Sequence, residues 1–406
     1  MQLSRVRWPF LALALVPGAV AGAPADSERA GEAFKRGTYY AEKKDYASAI
    51  AAFTEAVRLD PNRAAAFYAR GEARRGQKDF DSAIADYTEA IRLDPKDPKA
   101  HYGRGVAWGG KRDNEKAIAD FTEAIRLDPD DGSAHTLRGS AYLLAGDNDK
   151  AIADFTAAIR VNPQFAHIYR ERAVAYLRRG ALDKSIDDST MAIRLNPKNA
   201  KPYYNRGLAR QRKGELGAAM PDLTEAIRLD PKFAWAYYTR GEAYKSQGDY
   251  RRAIADLSEA IRLDPRFREA LFDRGCAYAG LADYDKAIPD FSEVIQLAPK
   301  DAHAYCMRGV CLVYKDETDK AIADLTEAIR LAPKYAEAFF IRGSAYGDKR
   351  EHDSAIADLT EAIRLNPKYT MAYYGRGAAW ACKGDHDKAA ADFTEVIRLD
   401  PAMDAA

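Results

Sequence analysis

The chain lacks the short motifs that mark common catalytic and nucleotide-binding sites. It contains no G-x-x-x-x-G-K-[ST], no G-x-G-x-x-G after a strand, no H-E-x-x-H and no G-x-S-x-G. Its six histidines are scattered along the sequence. The sequence therefore predicts a protein that is not an enzyme and that needs no metal or other cofactor.

Cysteine is scarce. Cys276, Cys306, Cys311 and Cys382 form no C-x-x-C pair, which argues against a zinc or thioredoxin-type site. Cys311 stands where most of the repeated units described below have Ala, and this favours a small core residue. A disulfide between Cys276 and either Cys306 or Cys311 is the alternative.

Neither sign of charge dominates the chain. Lys and Arg number 62, and Asp and Glu number 61. This balance gives no whole-chain reason to expect binding to nucleic acid or to an anionic membrane. After the N-terminal segment, no stretch of sequence resembles a transmembrane helix.

The first 21 residues have the layout of a signal peptide. Arg5 and Arg7 precede a short apolar run from Trp8 to Val16, and small residues follow at positions 19 and 21. We predict cleavage after Ala21, a short linker over 22–29, and export to the periplasm or the extracellular space. The alternatives are a merely apolar N-terminus or an uncleaved anchor.

Proline recurs at a fixed interval of 34 residues over most of the chain, without an insertion or a deletion. A fixed period of this size predicts a solenoid of stacked units rather than a set of separate globular domains. The eleven prolines are Pro61, Pro95, Pro129, Pro163, Pro197, Pro231, Pro265, Pro299, Pro333, Pro367 and Pro401.

Each 34-residue unit contains two helical patterns. In the second pattern of one unit, Ile118, Phe121 and Ile125 form a single apolar stripe at helical spacing. Asp113 precedes this helix and is expected to cap it. Pro129 ends it, because the proline ring forbids continuation of the helix.

These units resemble the tetratricopeptide repeat, a helical hairpin with small and aromatic residues at set places and a closing proline. The resemblance covers residues 30–401 as eleven tandem copies and leaves a short tail over 402–406. It implies an all-α fold, a right-handed superhelical solenoid of antiparallel helix pairs. The first copy carries it on Gly37, Tyr40, Ala49, Phe53, Ala56 and Pro61, and the eighth on Gly275, Tyr278, Ala287, Phe291 and Pro299.

Two rows of charged residues depart from the family pattern. Every unit has an Arg just before the glycine place, where the family usually has Leu, and ten units have an Asp in the second helix. We predict a structural ladder of charge-assisted pairs, among them Arg240 with Asp256 and Arg274 with Asp290. The alternative is an Arg stripe that grips phosphates or carboxylates, but the Asp row would cancel its charge.

In the family, the first helices of successive units line a concave groove, and the fifth place of each unit faces it. This place is aromatic in eight units here. An aromatic stripe in a groove is suited to holding a peptide. Packing between neighbouring first helices is the alternative. The candidate groove contacts of this kind are Tyr68, Tyr102, Tyr204, Tyr238 and Phe272.

The fifth and sixth units add basic residues at groove places. These are His167, Arg170, Arg178, Lys201 and Arg212. A basic groove centre would attract an acidic peptide or another anion. A charge run that faces solvent is the alternative.

Together these features predict a non-enzymatic interaction scaffold that binds a protein or peptide segment in its groove. One alternative is a structural protein that self-associates into a homo-oligomer through the eleventh unit, which no extra helix covers. The other is a binder of a non-peptide anion through the basic fifth and sixth units. No nucleic-acid partner is expected.

Overall fold

The computed structural model describes residues 24–400 of the chain. The predicted signal peptide over 1–21 and the tail over 402–406 lie outside these residues. The chain divides into two compact units, the first ending at Leu195 and the second beginning at Asn196. Below, "unit" means one of these two parts, and each 34-residue copy is called a repeat or a helix pair. The uninterrupted period predicted one solenoid over 30–401 and carries no mark of this division, because the proline spacing continues across it.

All regular structure in residues 24–400 is helical, and none of these helices is both long and apolar enough to cross a membrane. The first unit contains α1 (Pro24–Glu42), α2 (Tyr46–Leu59), α3 (Ala64–Gly76), α4 (Phe80–Leu93), α5 (Pro98–Gly110), α6 (Asn114–Leu127), α7 (Gly132–Ala145), α8 (Asn148–Val161), α9 (Ala166–Arg178) and α10 (Leu182–Leu195). The second unit contains α11 (Ala200–Arg212), α12 (Leu216–Leu229), α13 (Ala234–Ser246), α14 (Tyr250–Leu263), α15 (Arg268–Gly280), α16 (Tyr284–Leu297), α17 (Ala302–Tyr314), α18 (Thr318–Leu331), α19 (Ala336–Asp348), α20 (His352–Leu365), α21 (Thr370–Cys382) and α22 (His386–Leu399).

Helix α1 begins at Pro24, so most of the predicted linker over 22–29 is helical instead. Proline at the first position of a helix sacrifices no hydrogen bond, because the first N–H groups have no partner inside the helix. Asp26 lies in the first turn, where a negative charge interacts favourably with the helix dipole. The Ala, Glu and Arg residues that follow favour helix.

Each odd-numbered helix packs on the even-numbered helix that follows it. In α6, Ala117, Phe121 and Ala124 are buried, and the Asp113 carboxylate accepts a hydrogen bond from the Lys116 N–H. The chain leaves this helix at Asp128, immediately before the proline. Within each unit, the odd-numbered helices of neighbouring pairs also contact one another. We call the surface that they form the first-helix face.

The turn inside each helix pair requires one residue with positive φ. Glycine supplies it in five pairs, with φ between 75° and 86°. In the other six pairs the residue is Lys44, Lys78, Arg112, Ala282, Asp316 or Arg350, with φ between 58° and 64°. A non-glycine residue has a steric cost at positive φ, yet six pairs accept that cost. The geometry of the helix pair therefore sets the turn, whatever the residue type.

A glycine in the odd-numbered helix lets the two helices of a pair approach closely. A Cβ at Gly105 would lie 2.8 Å from Cε1 of Phe121, and one at Gly241 would lie 2.9 Å from Cγ of Leu257. The fifth helix pair differs at both positions of this contact: Ala173 replaces the glycine, and Ser189 replaces the large side chain. Both are fully buried. We infer that the smaller Ser189 leaves room for the methyl group of Ala173.

The substitution in the fifth pair has left a buried hydroxyl without a partner. Ser189 Oγ makes no hydrogen bond among the described residues, whereas Ser185 Oγ donates to the Ala173 carbonyl at 2.9 Å. We expect Ser189→Ala to raise the free energy of unfolding of the first unit by about 1 kcal/mol, because it removes an unsatisfied polar group. The control, Ser185→Ala, should lower it by a similar amount. Urea unfolding followed by circular dichroism measures both, and a less stable Ser189→Ala would contradict the expectation.

All four cysteines are free thiols. Cys311 is fully buried and packs with Ala287 and Phe291, as expected of a small core residue. The alternative, a disulfide from Cys276, is not formed. Burial raises the pKa of Cys276 to about 12 and that of Cys311 to about 11. Both thiols are therefore held in the protonated form, which is unreactive toward oxidation.

Candidate binding surface

Ten helix pairs contain a bidentate Arg–Asp pair that joins their two helices. Arg240 donates from Nε and Nη2 to the two carboxylate oxygens of Asp256 at 2.7 and 2.8 Å. Arg274 donates to Asp290 in the same way at 2.9 and 2.7 Å. All ten Asp side chains are buried. The other pairs are Arg70–Asp86, Arg104–Asp120, Arg138–Asp154, Arg172–Asp188, Arg206–Asp222, Arg308–Asp324, Arg342–Asp358 and Arg376–Asp392.

Within each of the two compact units, these guanidinium groups also reach the preceding helix pair. Arg342 Nη1 donates to Thr326 Oγ1 at 2.9 Å, and that hydroxyl donates in turn to the Ile322 carbonyl at 2.7 Å. Arg240 makes the equivalent contact to Thr224 at 3.1 Å. One Arg therefore ties together its own two helices and the even-numbered helix before them.

These contacts favour a structural role for the Arg row. The N–H groups of Arg240 face a carboxylate and a hydroxyl, and the hydrogen bonds that Arg240 donates to Asp256 raise the pKa of Arg240. A guanidinium satisfied in this way has little capacity left for an external phosphate or carboxylate. The candidate binding surface therefore lies elsewhere.

The basic residues predicted at the groove centre lie on helices of different units. His167, Arg170 and Arg178 lie on α9 of the first unit, whereas Lys201 and Arg212 lie on α11 of the second. The pKa of His167 is lowered by partial burial and by the nearby Arg170 charge, which favours the neutral imidazole.

Much of the basic charge in this region is already paired within the protein. Arg170 Nη2 donates to the Glu171 carboxylate, and Arg178 Nη1 donates to the Leu143 carbonyl at 2.8 Å. Two neighbouring basic residues form ion pairs, Arg179 with Asp149 at 2.6 Å and Arg210 with Asp222 at 2.8 Å. Internal pairing reduces the charge that the region can offer to an acidic partner.

Three aromatic residues of the predicted stripe pack inside their own helix pair. Tyr68, Tyr102 and Phe272 each contact the aromatic ring of the following even-numbered helix, with ring centroids 5.9, 5.9 and 5.5 Å apart. Burial, with the nearby Glu72 charge, raises the pKa of Tyr68 to about 12. Packing therefore accounts for at least part of this stripe.

Tyr204 and Tyr238 make a different contact in the second unit. Their helix pairs have Leu in place of the even-numbered aromatic residue, and the two tyrosines pack on Phe233 and Phe267, with centroids 4.8 and 5.0 Å apart. Trp235 packs on Phe267 at 4.5 Å and is still 51% exposed. These five side chains form what we call the aromatic cluster, and its tryptophan is available to a ligand.

Two cavities adjoin the aromatic cluster on the first-helix face, and Tyr238 lines both. The larger cavity has a volume of about 410 Å³ and is lined by Tyr204, Leu208, Gln211, Arg212, Trp235, Tyr238, Thr239 and Glu242. The smaller cavity has a volume of about 290 Å³ and is lined by Tyr238, Arg268, Glu269, Phe272, Asp273, Asp301 and His303. The structure thus brings Tyr204, Arg212, Tyr238 and Phe272 to one surface, and of the second-unit candidates only Lys201 lines neither cavity.

Gln211, which lines the larger cavity, has a buried amide oxygen without a partner. Gln211 Nε2 donates to Glu242 at 3.1 Å, and the carboxylate fixes this orientation of the amide because it can only accept. Gln211 Oε1 has no partner among the described residues. The Gln211 amide is therefore held by Glu242 through its nitrogen and left unsatisfied at its oxygen.

Carboxylates surround the tyrosine that the two cavities share. Tyr238 and Asp273 line the smaller cavity together, and Asp273 pairs with Lys245. Burial and the charges of Asp273, Glu242 and Glu269 raise the pKa of Tyr238 above its usual range. These groups do not form a metal site: between residues 24 and 400, no cluster of His, Cys, Asp or Glu side chains could hold a metal ion.

Sequence reasoning did not single out several residues of this surface. Trp235, Glu242 and Gln211 occupy the second, ninth and twelfth places of their repeats, which are groove places of the family, so the same rule could have found them. Asp273 occupies the sixth place, and no signal in the sequence points to it. The pair that Asp273 forms with Lys245 depends on how the two helices pack.

The repeat pattern has a match among known families. A profile described as tetratricopeptide repeat matches residues 34–98, 68–131, 102–155, 136–200, 238–302, 272–336, 306–357 and 342–404, and a second, described as TPR repeat, matches residues 209–248. The chain belongs to the tetratricopeptide repeat family. The hairpins formed by the 22 helices of residues 24–400 are therefore tetratricopeptide-type helix pairs.

Several solved tetratricopeptide structures are similar to parts of this chain. YrrB, described as a TPR protein with an unusual peptide-binding site, is 27% identical over 45% of this chain and 95% of its own, with a TM-score of 0.42. A tetratricopeptide repeat protein from Parabacteroides merdae is 21% identical over 62% of this chain and 99% of its own, with a TM-score of 0.47. The Cut9–Hcn1 structure is 16% identical over 93% of this chain and 88% of its own, with a TM-score of 0.45. No curated protein matches the chain.

Proposed function

We propose that this tetratricopeptide repeat protein is an interaction scaffold that binds a peptide segment of a partner protein on the first-helix face of its second unit. The observation that carries the proposal is the pair of cavities beside the aromatic cluster, whose Trp235 side chain is half exposed. Exposed aromatic anchors beside a concavity are typical of binding sites.

We further propose that the protein acts after export, in the periplasm or outside the cell. The support is the N-terminal sequence, in which two Arg residues precede a short apolar run and small residues. This proposal concerns the compartment in which the partner is sought. Mass spectrometry of the protein purified from its native compartment tests it, with a mature N-terminus at Gly22 as the expected result.

The binding proposal is tested with random peptides displayed on phage and selected on the purified chain. We expect Trp235→Ala to weaken the selected peptides at least tenfold, measured by fluorescence anisotropy, because it removes the exposed anchor. Tyr39→Ala is the matched control, since Tyr39 is 52% exposed and lies in the first unit. Selected peptides that bind equally well to the Trp235→Ala variant would refute the proposed surface.

The same preparation separates the alternatives that the sequence left open. Self-association predicts a mass in light scattering that rises with concentration and no dependence of peptide selection on Trp235. An anion binder predicts retention on heparin that is lost in Arg170→Glu/Arg212→Glu, with Trp235→Ala unaffected. If either result is obtained and no peptide binding depends on Trp235, the corresponding alternative replaces the proposal.

A further inference from the structure

We propose that the peptide bound at this surface carries a Lys or Arg side chain about three residues from a large apolar side chain. This inference rests on the proposed function and names the class of partner. The apolar side chain would occupy the larger cavity, and the basic side chain would occupy the smaller one. The sequence alone had favoured an acidic partner, drawn by the basic fifth and sixth repeats.

The electrostatics of the shared tyrosine favour a cation. Glu242, Glu269 and Asp273 lie close enough to Tyr238 to act on its ionisation. Asp301 joins Glu269 and Asp273 in the lining of the smaller cavity. A basic side chain in this position would meet carboxylates on several sides, and the rings of Tyr238 and Phe272 would add a favourable contact with a cation.

The positive charges nearby do not cancel this field. Lys245 pairs with Asp273, and Arg212 lies beside Tyr204 in the larger cavity. Arg268 pairs with Glu269 at 3.1 Å and lies 4.0 Å from the Asp301 carboxylate, and the Arg268 and Glu269 side chains are each 46% exposed. An exposed pair of this kind is weak and readily exchanged for another cation. The four carboxylates outnumber these three cations.

Trp235 offers an apolar side chain a contact at the larger cavity. The Trp235 side chain is 51% exposed, and Tyr204 and Leu208 lie in the same cavity lining. Most of the other lining residues are polar and suit the main chain of a peptide that places its apolar side chain against Trp235.

The spacing follows from the geometry of packed helices. The larger cavity is lined by α11 and α13, and the smaller one by α13, α15 and the start of α17. Neighbouring packed helices lie roughly 8–10 Å apart, and an extended chain advances about 3.3 Å per residue. One helix step along the first-helix face therefore corresponds to about three peptide residues.

The test uses the peptides selected on the full chain that depend on Trp235. We expect them to be enriched in Lys or Arg about three residues from an aromatic or aliphatic residue. Replacing that basic residue by Glu should weaken binding at least tenfold. In the reciprocal experiment, Glu269→Lys should weaken the basic peptide at least tenfold and strengthen its Glu counterpart. Glu259→Lys is the matched control, because it makes the same charge change on α14 and leaves the cavity linings unaltered.

The outcomes distinguish this inference from the function on which it rests. Peptides that depend on Trp235 but carry acidic or neutral residues, or that bind Glu269→Lys unchanged, would overturn the basic-peptide inference and leave the binding surface in place. If no selected peptide depends on Trp235, the proposed surface and the inference both fall. A circular dichroism melt of each variant, matching that of the parent chain, shows that the change is one of binding.

Discussion

Asp256→Ala is expected to lower the free energy of unfolding of the second unit by about 3–5 kcal/mol, because it leaves the Arg240 guanidinium without its carboxylate in a largely buried position. The pair itself need not be strongly stabilising, since burying both charges has its own desolvation cost. The loss arises because removal of one partner leaves the other uncompensated. Urea unfolding gives the free energy, and hydrogen exchange in α13 and α14 gives its location.

Two variants show whether this loss comes from the buried pair. Glu259→Ala removes a carboxylate from the same helix, but its pair with Arg262 lies on the surface, so we expect no measurable change in stability. Arg240→Leu/Asp256→Ala removes both charges and places at 240 the residue usual in the family. It should recover at least half of the loss. Equal stability of Asp256→Ala and the parent chain would show that the ladder is dispensable.

The fold could be predicted from the sequence because a stack of repeats requires the same contacts of every copy. The 34-residue proline period, the Asp at the start of the second helix and the small residue at its close approach all express that requirement. The facing Arg and Asp rows could be found for the same reason. What the period could not show is the division at Leu195, because the spacing is continuous there.

The hydrogen bond from these Arg residues to the preceding helix pair was not predicted, although the Thr and Ser residues that accept it are also periodic. Thr224 and Thr326 lie between the apolar positions of their helices, and the pattern there indicates only a solvent-facing residue. Their hydrogen bonds to Arg240 and Arg342 depend on how one helix pair is rotated against the next. A repeat pattern read one copy at a time contains no information about that rotation.

The candidate binding surface was predicted in part. Tyr204, Tyr238 and Phe272 follow from the fifth place of the repeat, but the fifth place did not reveal which aromatic residues would remain accessible. The even-numbered helix decides only the packing partner: where it supplies Phe291, Phe272 packs on that ring, and where it supplies Leu257, Tyr238 packs on Phe267. Accessibility depends on all the neighbours of a ring and cannot be read from the fifth place alone.

Gly139→Ala and Phe155→Ser are expected to compensate each other, as Ala173 and Ser189 do in the fifth repeat. A Cβ at Gly139 would lie 2.9 Å from Cε1 of Phe155, whose ring is fully buried. Gly139→Ala alone should therefore cost about 1–3 kcal/mol through overpacking. Phe155→Ser alone should cost at least about 3–5 kcal/mol, since it opens a cavity and buries a hydroxyl.

In the double variant the new methyl group occupies part of the cavity, and the clash with the ring is gone. We expect the double variant to lose at least about 1 kcal/mol less than the sum of the single losses. Gly139→Ala combined with Phe53→Ser is the control, because Phe53 belongs to the first repeat and the two losses should add. Urea unfolding of the full set measures the coupling. The opposite result would be additive losses of stability for Gly139→Ala and Phe155→Ser. In that case the close approach of the helices would not explain why the fifth repeat has Ala173 in place of glycine together with Ser189 in place of a large side chain.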